Sequence, residues 1–309
     1  MGGSLITVLS GGGGGAKFVD GLSSITKNFS AIVNTGDDIE IYGLHVSPDV
    51  DTLMYTLSGE IDVKKGWGIK NDTFICQNYL KSLGYEDWIL LGDKDLAVHI
   101  KRTELLKEGK TLTEVTSELC KRFGVNIPLI PMTDDFFQTF IELENKLIHF
   151  EEYYIKRPEG KINNIIYKGI DQAKPSDSFL DALENSEWVI IPPSNPLVSI
   201  GTIISLKGVR KILSEKKVIG VSPLIQGKAV KGPLVELMNS SSYEANSFGV
   251  AKYYKDILDI FIIDSLEPSL LEKIKGEFGM DVIMTDTLMR NREDRARLCK
   301  FVIKRMEMQ

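Results

Sequence analysis

The chain has 309 residues, 43% of them hydrophobic and 26% charged, with a formal net charge of −6. These proportions are those of a globular protein with a sizeable core, and they exclude a disordered or fibrous chain. The acidic balance argues against a broad nucleic-acid-binding face, and Cys76, Cys120 and Cys299 lie too far apart for a disulfide frame or a zinc site. No apolar run approaches the ~20 residues of a membrane span. No signal peptide is expected either, so the chain reads as cytoplasmic, with no membrane or nucleic-acid partner.

The first predicted strand, Leu5–Leu9, runs into five consecutive glycines, Gly11–Gly15, and then into an amphipathic helix. Glycine costs roughly 0.5–1 kcal/mol relative to alanine inside regular structure, so such a run implies a close approach to the backbone. Strand, glycine loop and helix together present main-chain N–H groups and a helix N-terminus to a phosphate. Gly11-x-Gly13-x-x-Ala16 satisfies the dinucleotide pattern, although five glycines satisfy many patterns. A P-loop is excluded, because Lys17 is followed by Phe18 where that motif needs Ser or Thr.

After a second strand, Ser30–Asn34, come Asp37 and Asp38, and then Asp49 and Asp51 ahead of a helix expected from Thr52. In an open parallel sheet these loops line the ligand crevice. Four carboxylates beside a phosphate loop are electrostatically awkward without a cation, and Mg²⁺ held by carboxylate and phosphate oxygens removes the conflict. The plainer alternative gives Asp37 and Asp38 to a turn and Asp49 or Asp51 to a helix cap. Of the four, Asp51 is the one chosen for function.

From about Val50 to Phe123 the pattern is helical, with a capping box at Thr111–Glu114 followed by Val115, Leu119 and Phe123. Thr139–Ile155 reads as a hairpin turning near Glu144-Asn145-Lys146. Alternation resumes near Lys161, with buried strands at Trp188–Ile191, Lys217–Val221, Asp259–Ile263 and Asp281–Met284. Pro268 opens a helix, and Asn291 caps a last one with Leu298, Val302 and Met306 on one face. The expectation is an α/β fold, a three-layer Rossmann-like, mostly parallel sheet with a largely helical insertion. Residues 1–49 and 124–309 form the nucleotide-binding core, and 50–123 the insertion.

Several blocks, in order, carry a family resemblance: "LSGGGGGAKFVDGL", "VNTGDD", "SPDVDTLMYTLSG", "GWGIKNDTF", "LGDKDLAVH", "PMTDD", "PPSNPLVSIGTIISLKGVR" and "VSPLIQGKAVKGP". Together they resemble the 2-phospho-L-lactate transferase family of coenzyme F-420 biosynthesis, over nearly the whole chain. The resemblance implies transfer of a phospho-lactyl or phosphoenolpyruvyl group from a guanosine diphosphate ester to the terminal ribityl hydroxyl of the deazaflavin FO. GMP would be released, Mg²⁺ would be the cofactor, and a homodimer is expected.

Carried over residue by residue, the resemblance makes Gly11, Gly12, Gly13, Gly14 and Lys17 the diphosphate loop. Ser194, Asn195, Ser199, Gly201 and Ser222 would form the nucleotide wall. Asp37, Asp38, Asp49 and Asp51 would share the metal. Asp51, Lys94, Asn34, Thr133 and Asp134 would face FO, with Asp51 binding or helping to deprotonate the attacking hydroxyl. Lys94 stands where the family pattern "LGDRD" has arginine; lysine keeps the charge but loses the planar fork, which affects the FO pose. Trp67 and Phe74 either stack on the deazaflavin or belong to the core, and His45 and His99 read as satisfied structural histidines. The donor acid (lactate, enolpyruvate or glycerate) stays open. Two rivals remain: a UDP-sugar-binding regulator of the same superfamily, and a nicotinamide-dependent oxidoreductase.

Overall fold

The structure, a computed structural model, describes residues 5–144, 146–229 and 232–308. The predicted hairpin turn at Asn145 and the leader Met1–Ser4 lie outside the described residues, as do Val230 and Lys231. The chain begins β1 (Ile6–Ser10), α1 (Gly13–Ser23), β2 (Phe29–Val33), β3 (Ile39–Ile41), β4 (Leu44–Val46) and α2 (Pro48–Ser58). It continues α3 (Ile75–Ser82), α4 (Asp93–Lys107), α5 (Leu112–Arg122), β5 (Leu129–Pro131), β6 (Gln138–Leu143), β7 (Lys146–His149) and α6 (Phe150–Lys156). Next come β8 (Ile162–Lys168), α7 (Asp177–Glu184), β9 (Trp188–Ile191), α8 (Ile200–Ser205), α9 (Val209–Leu213) and β10 (Lys217–Val221). The rest is β11 (Leu224–Ile225), β12 (Lys228–Ala229), α10 (Leu234–Ser240), α11 (Ser247–Tyr254), β13 (Ile260–Asp264), α12 (Pro268–Phe278), β14 (Asp281–Thr285) and α13 (Arg292–Met306).

Seven strands form one parallel sheet in the order β14-β13-β10-β9-β1-β2-β5, with Ile6 opposite Phe29 on one side and Trp188 on the other. These strands are short apolar runs because both faces are covered. Val8, Val33, Ile190 and Ile262 look into one core, and Leu9, Ile32, Val189 and Phe261 into the other. That is the expected three-layer α/β architecture. The chain leaves β1 toward β2 and β5, then crosses back to β9 on the opposite side of β1. The order therefore reverses between β1 and β9, and the loops at their carboxyl ends bound the crevice where such sheets bind ligands.

Three expectations change. The second arm of the predicted hairpin is a strand only as far as His149. There the ring accepts from the Glu151 N–H and caps α6, with Glu151 and Glu152 in the favourable first turn. The strand near Lys161 does not join the main sheet either; β7, β6 and β8 form a separate antiparallel sheet. The third change is the insertion boundary. Val50, Leu53, Met54 and Tyr55 of α2, with Val115 and Leu119 of α5, share a continuous core with β1 and β2. A smaller separate cluster of Ile41, Val46, Ile89, Leu91 and Leu96 holds the β3–β4 hairpin to the region before α4. Trp67 and Phe74 are half-buried at the surface, both flanking the Lys65 ammonium. The Thr111 capping box, the Pro268 helix start and the Asn291 cap form as expected.

Candidate active site

The glycine run is explained by what crowds it. A Cβ at Gly11 would lie 2.6 Å from the Ser199 side chain, and one at Gly12 would overlap an Asp49 carboxylate oxygen. One at Gly14 would overlap the Pro193 carbonyl, and one at Gly15 would lie 2.9 Å from Ser194 Oγ. Gly13 alone of the five is exposed and meets nothing within 4 Å. The loops after β1 and β9 thus interlock at the switch point, and the open spot they leave is at the first residue of α1. The N–H groups of a helix's first turn have no intrahelical partner, so α1 aims donors and its positive dipole end there. Lys17 sits half-buried at the start of the next turn.

Behind the loop, Asn34 organises two acids. Its amide nitrogen donates to Asp49 Oδ2 at 2.9 Å, Asp37 Oδ2 at 3.0 Å and the Val198 carbonyl at 3.3 Å. Its amide oxygen accepts from the Gly36 N–H and from Thr202 Oγ1. With its amide fully engaged and no exposed surface, Asn34 holds the acids in place and offers no free group to an acceptor. Burial pushes the Asp49 carboxyl up to about 7, opposed by the Asn34 bond and aided by the charge of Asp38; the Gly12 N–H also donates to it. Burial likewise raises the Asp37 carboxyl, with Asp49, Glu151 and Asp38 adding repulsion. Asp37 Oδ1 and Asp38 Oδ1 are buried without a hydrogen-bond partner. Asp38 Oδ2 accepts from Ser47 Oγ at 2.7 Å and lies 2.8 Å from His45 Nε2. Two buried, mutually repelling carboxylates with an orphaned oxygen form a hard-oxygen donor set that fits Mg²⁺.

Asp51 does not join them. Residues two apart on a helix point about 200° from each other, so α2 turns Asp49 to the glycine loop and Asp51 to α4. There both Asp51 oxygens accept from Arg102, Oδ2 at 3.0 Å from Nη1. Among the described residues, the acids and histidine whose ligand atoms cluster within 4.8 Å are Asp51, Asp95 and His99, and the Arg102 guanidinium already supplies positive charge there. The four acids expected to share one ion are therefore divided between two places.

Ser194 is buried with an unpartnered hydroxyl next to the loop, and Ser199 abuts Gly11. Asn195 uses its amide oxygen to turn the loop, accepting from the Leu197 and Val198 N–H groups. Gly201 is buried under the Tyr167 and Tyr253 hydroxyls, so it serves packing. Ser222 is buried and bonded to Ser247. Thr133 Oγ1 accepts from the Asp135 N–H, and Asp134 is exposed and accepts from the Thr113 N–H at 2.7 Å, tying α5 to β5. Lys94 is exposed, its ammonium donating to the Lys70 carbonyl at 3.2 Å. Sequence reasoning missed Thr139 of β6, whose N–H donates to the Gly36 carbonyl, Glu151 of α6, Thr202 of α8, and Arg102. Their only signal is long-range: Arg102 lies 51 residues from Asp51.

A family model, 2-phospho-L-lactate transferase CofD, matches residues 6–301. The chain belongs to that family. It is 40% identical to the 2-phospho-L-lactate transferase of Methanosarcina mazei over 96% of this chain and 98% of that one. It is 39% identical to that of Methanocaldococcus jannaschii over 97% of both. A solved UPF0052-family protein from Bacillus halodurans shares the fold, with a TM-score of 0.64 at 15% identity, over 98% of this chain and 99% of that one. Membership places the chain among the transferases, and none of its described helices is long and apolar enough to cross a membrane.

Proposed function

We propose that the chain transfers a phospho-lactyl or phosphoenolpyruvyl group from a guanosine diphosphate ester to the ribityl hydroxyl of FO, in coenzyme F-420 biosynthesis. The observation that carries this reading is the β1/β9 crevice, where an open helix N-terminus faces a buried acid pair. The FO hydroxyl oxygen attacks the phosphorus bearing the three-carbon acid, GMP leaves as the P–O–P bond breaks, and the hydroxyl proton ends on the released phosphate or in solvent. Gly13–Gly15 hold the diphosphate, and Ser194 and Ser199 close its side. Asp37 and Asp49 hold Mg²⁺, which when bound neutralises charge on the diphosphate. Asp51, on the α4 side of α2, accepts a hydrogen bond from the acceptor alcohol. Catalysis is then mainly positioning and charge neutralisation, as for other phosphoryl transfers. The exposed stripe of Ile75 and Tyr79 along α3 and Leu83 just past its end, at four-residue spacing, supports a homodimer through that face.

The test is purified protein with FO, Mg²⁺ and each candidate guanylated acid, following GMP release and product mass. Formation of the phospho-acid ester of FO supports the reading. Binding of a UDP-sugar with neither FO binding nor GMP release overturns it.

A further inference from the structure

α4 carries Asp95, His99 and Arg102 at i, i+4 and i+7, on one helical face. All three are buried, at 7%, 1% and 0% exposure, and all turn to α2. Arg102 grips both oxygens of Asp51. Its Nη1 also lies 3.2 Å from His99 Nδ1. An arginine only donates, so Nδ1 accepts and the imidazole proton sits on Nε2. Nε2 is 3.4 Å from Asp95 Oδ1, and that oxygen accepts from the Tyr55 hydroxyl at 2.6 Å. Burial works to raise the Asp95 carboxyl, but His99, Tyr55 and Arg102 outweigh it and hold it below the usual range. Tyr55 is one turn after Asp51 on α2, so the chain of contacts closes between two helices.

An arrangement this buried has a cost: ionised groups out of water are stable only when paired and hydrogen-bonded. A purely structural contact between α2 and α4 would do as well with apolar residues. What an apolar contact cannot do is fix the rotation of a carboxylate. A bidentate guanidinium does so, because its planar fork matches the two oxygens.

We propose that Arg102 is the positioning residue for Asp51, with His99, Asp95 and Tyr55 behind it setting the angle of the guanidinium. The inference rests on the assignment of Asp51 to the acceptor alcohol. Held this way, Asp51 serves as a fixed hydrogen-bond acceptor, and the insertion helix reaches the acceptor half of the site through it. Arg102 touches no substrate. Its loss should therefore appear in FO recognition, while the donor, bound at the glycine loop, is spared.

The experiment compares wild type, Arg102→Lys, Arg102→Gln, His99→Gln and Asp51→Asn, reading KM for FO and for the donor, kcat, and FO binding by deazaflavin fluorescence without donor. Arg102→Gln should lower kcat/KM for FO at least tenfold and weaken FO binding. Arg102→Lys should recover part of the loss, and the donor KM should stay within about twofold. His99→Gln, which tests the support behind the fork and keeps every charge on Asp51 and Arg102, should lose severalfold in FO binding. In the Asp51→Asn background Arg102→Gln should add little, since the carboxylate it orients is gone. Equal loss in both substrates' parameters, or FO kinetics in His99→Gln and Arg102→Lys equal to wild type, overturns the inference. A wild type that makes no product from FO overturns the functional reading instead.

Discussion

Replacing Gly13 and Gly12 by alanine separates packing from binding within two adjacent residues. At Gly12 the backbone is helical (φ −70°, ψ −69°), so alanine brings no backbone strain, but its methyl would occupy the place of an Asp49 oxygen. Asp49 must then leave the Asn34 amide and the Gly12 N–H. Overpacking costs roughly 1–3 kcal/mol and a hydrogen bond to a charged group roughly 1.5–3 kcal/mol. In a chain of this size each kcal/mol moves Tm by about 2 °C, so Gly12→Ala should melt roughly 5–10 °C lower. At Gly13 nothing lies within 4 Å, and alanine in a helix is favoured over glycine by roughly 0.5–1 kcal/mol. Gly13→Ala should melt at or slightly above the wild-type temperature. If the open spot is the diphosphate seat, the methyl pushes a phosphate oxygen off its N–H donor. That costs roughly 1.5–3 kcal/mol, or about 10–100-fold in donor affinity. Calorimetric melting and titration with GDP read both quantities. A Gly13→Ala protein with undiminished GDP affinity would refute the phosphate assignment, whatever its stability.

Other outcomes follow from single groups. Because the folded-state Asp49 carboxyl is raised to about 7, its stabilising contribution is complete below pH 4 and is lost as pH rises through 7. In EDTA, therefore, Tm should fall across pH 5–8 more in wild type than in Asp49→Asn. Mg²⁺ should restore wild-type stability at pH 8, do little at pH 5, and leave Asp49→Asn unmoved; equal Mg²⁺ shifts in both proteins would remove Asp49 from the metal site. Lys94→Ala, at an exposed position, should leave Tm within about 1 °C while raising KM for FO severalfold; unchanged FO kinetics would assign Lys94 to its Lys70 contact alone. Burial pushes the Cys120 thiol up to about 12 and raises Cys299 further, while Cys76 is exposed. Ellman's reagent should thus titrate Cys76 in the native protein and the other two only on unfolding.

What the sequence reveals and what it conceals divide along the range of the interactions. The buried strands are legible because a parallel sheet covered on both faces demands uninterrupted apolar runs, and Thr111, Pro268 and Asn291 act on their own helices. The arm after His149 misleads because "HFEEYYIK" has β-favouring aromatics. Its helix is set by a cap and two first-turn acids, which outweigh side-chain propensity. The five glycines announce a close approach, but the sequence does not say that most of it comes from Asp49, Pro193, Ser194 and Ser199. The expectation that Asp49 and Asp51 share one ion fails for a geometric reason: both open the same helix, and only the position of the sheet shows which one faces β1. Arg102 is invisible for the same reason, since its meaning lies in a carboxylate on another helix.

The account stands most directly on where a guanosine diphosphate ester sits. A crystal structure of the protein with a non-hydrolysable donor analogue and Mg²⁺ should show phosphate oxygens within hydrogen-bond distance of the Gly13–Gly15 N–H groups, with the ion on Asp37 and Asp49. Phosphates bound elsewhere, for instance along the groove formed by Leu44, Ile100 and Thr103, would contradict it.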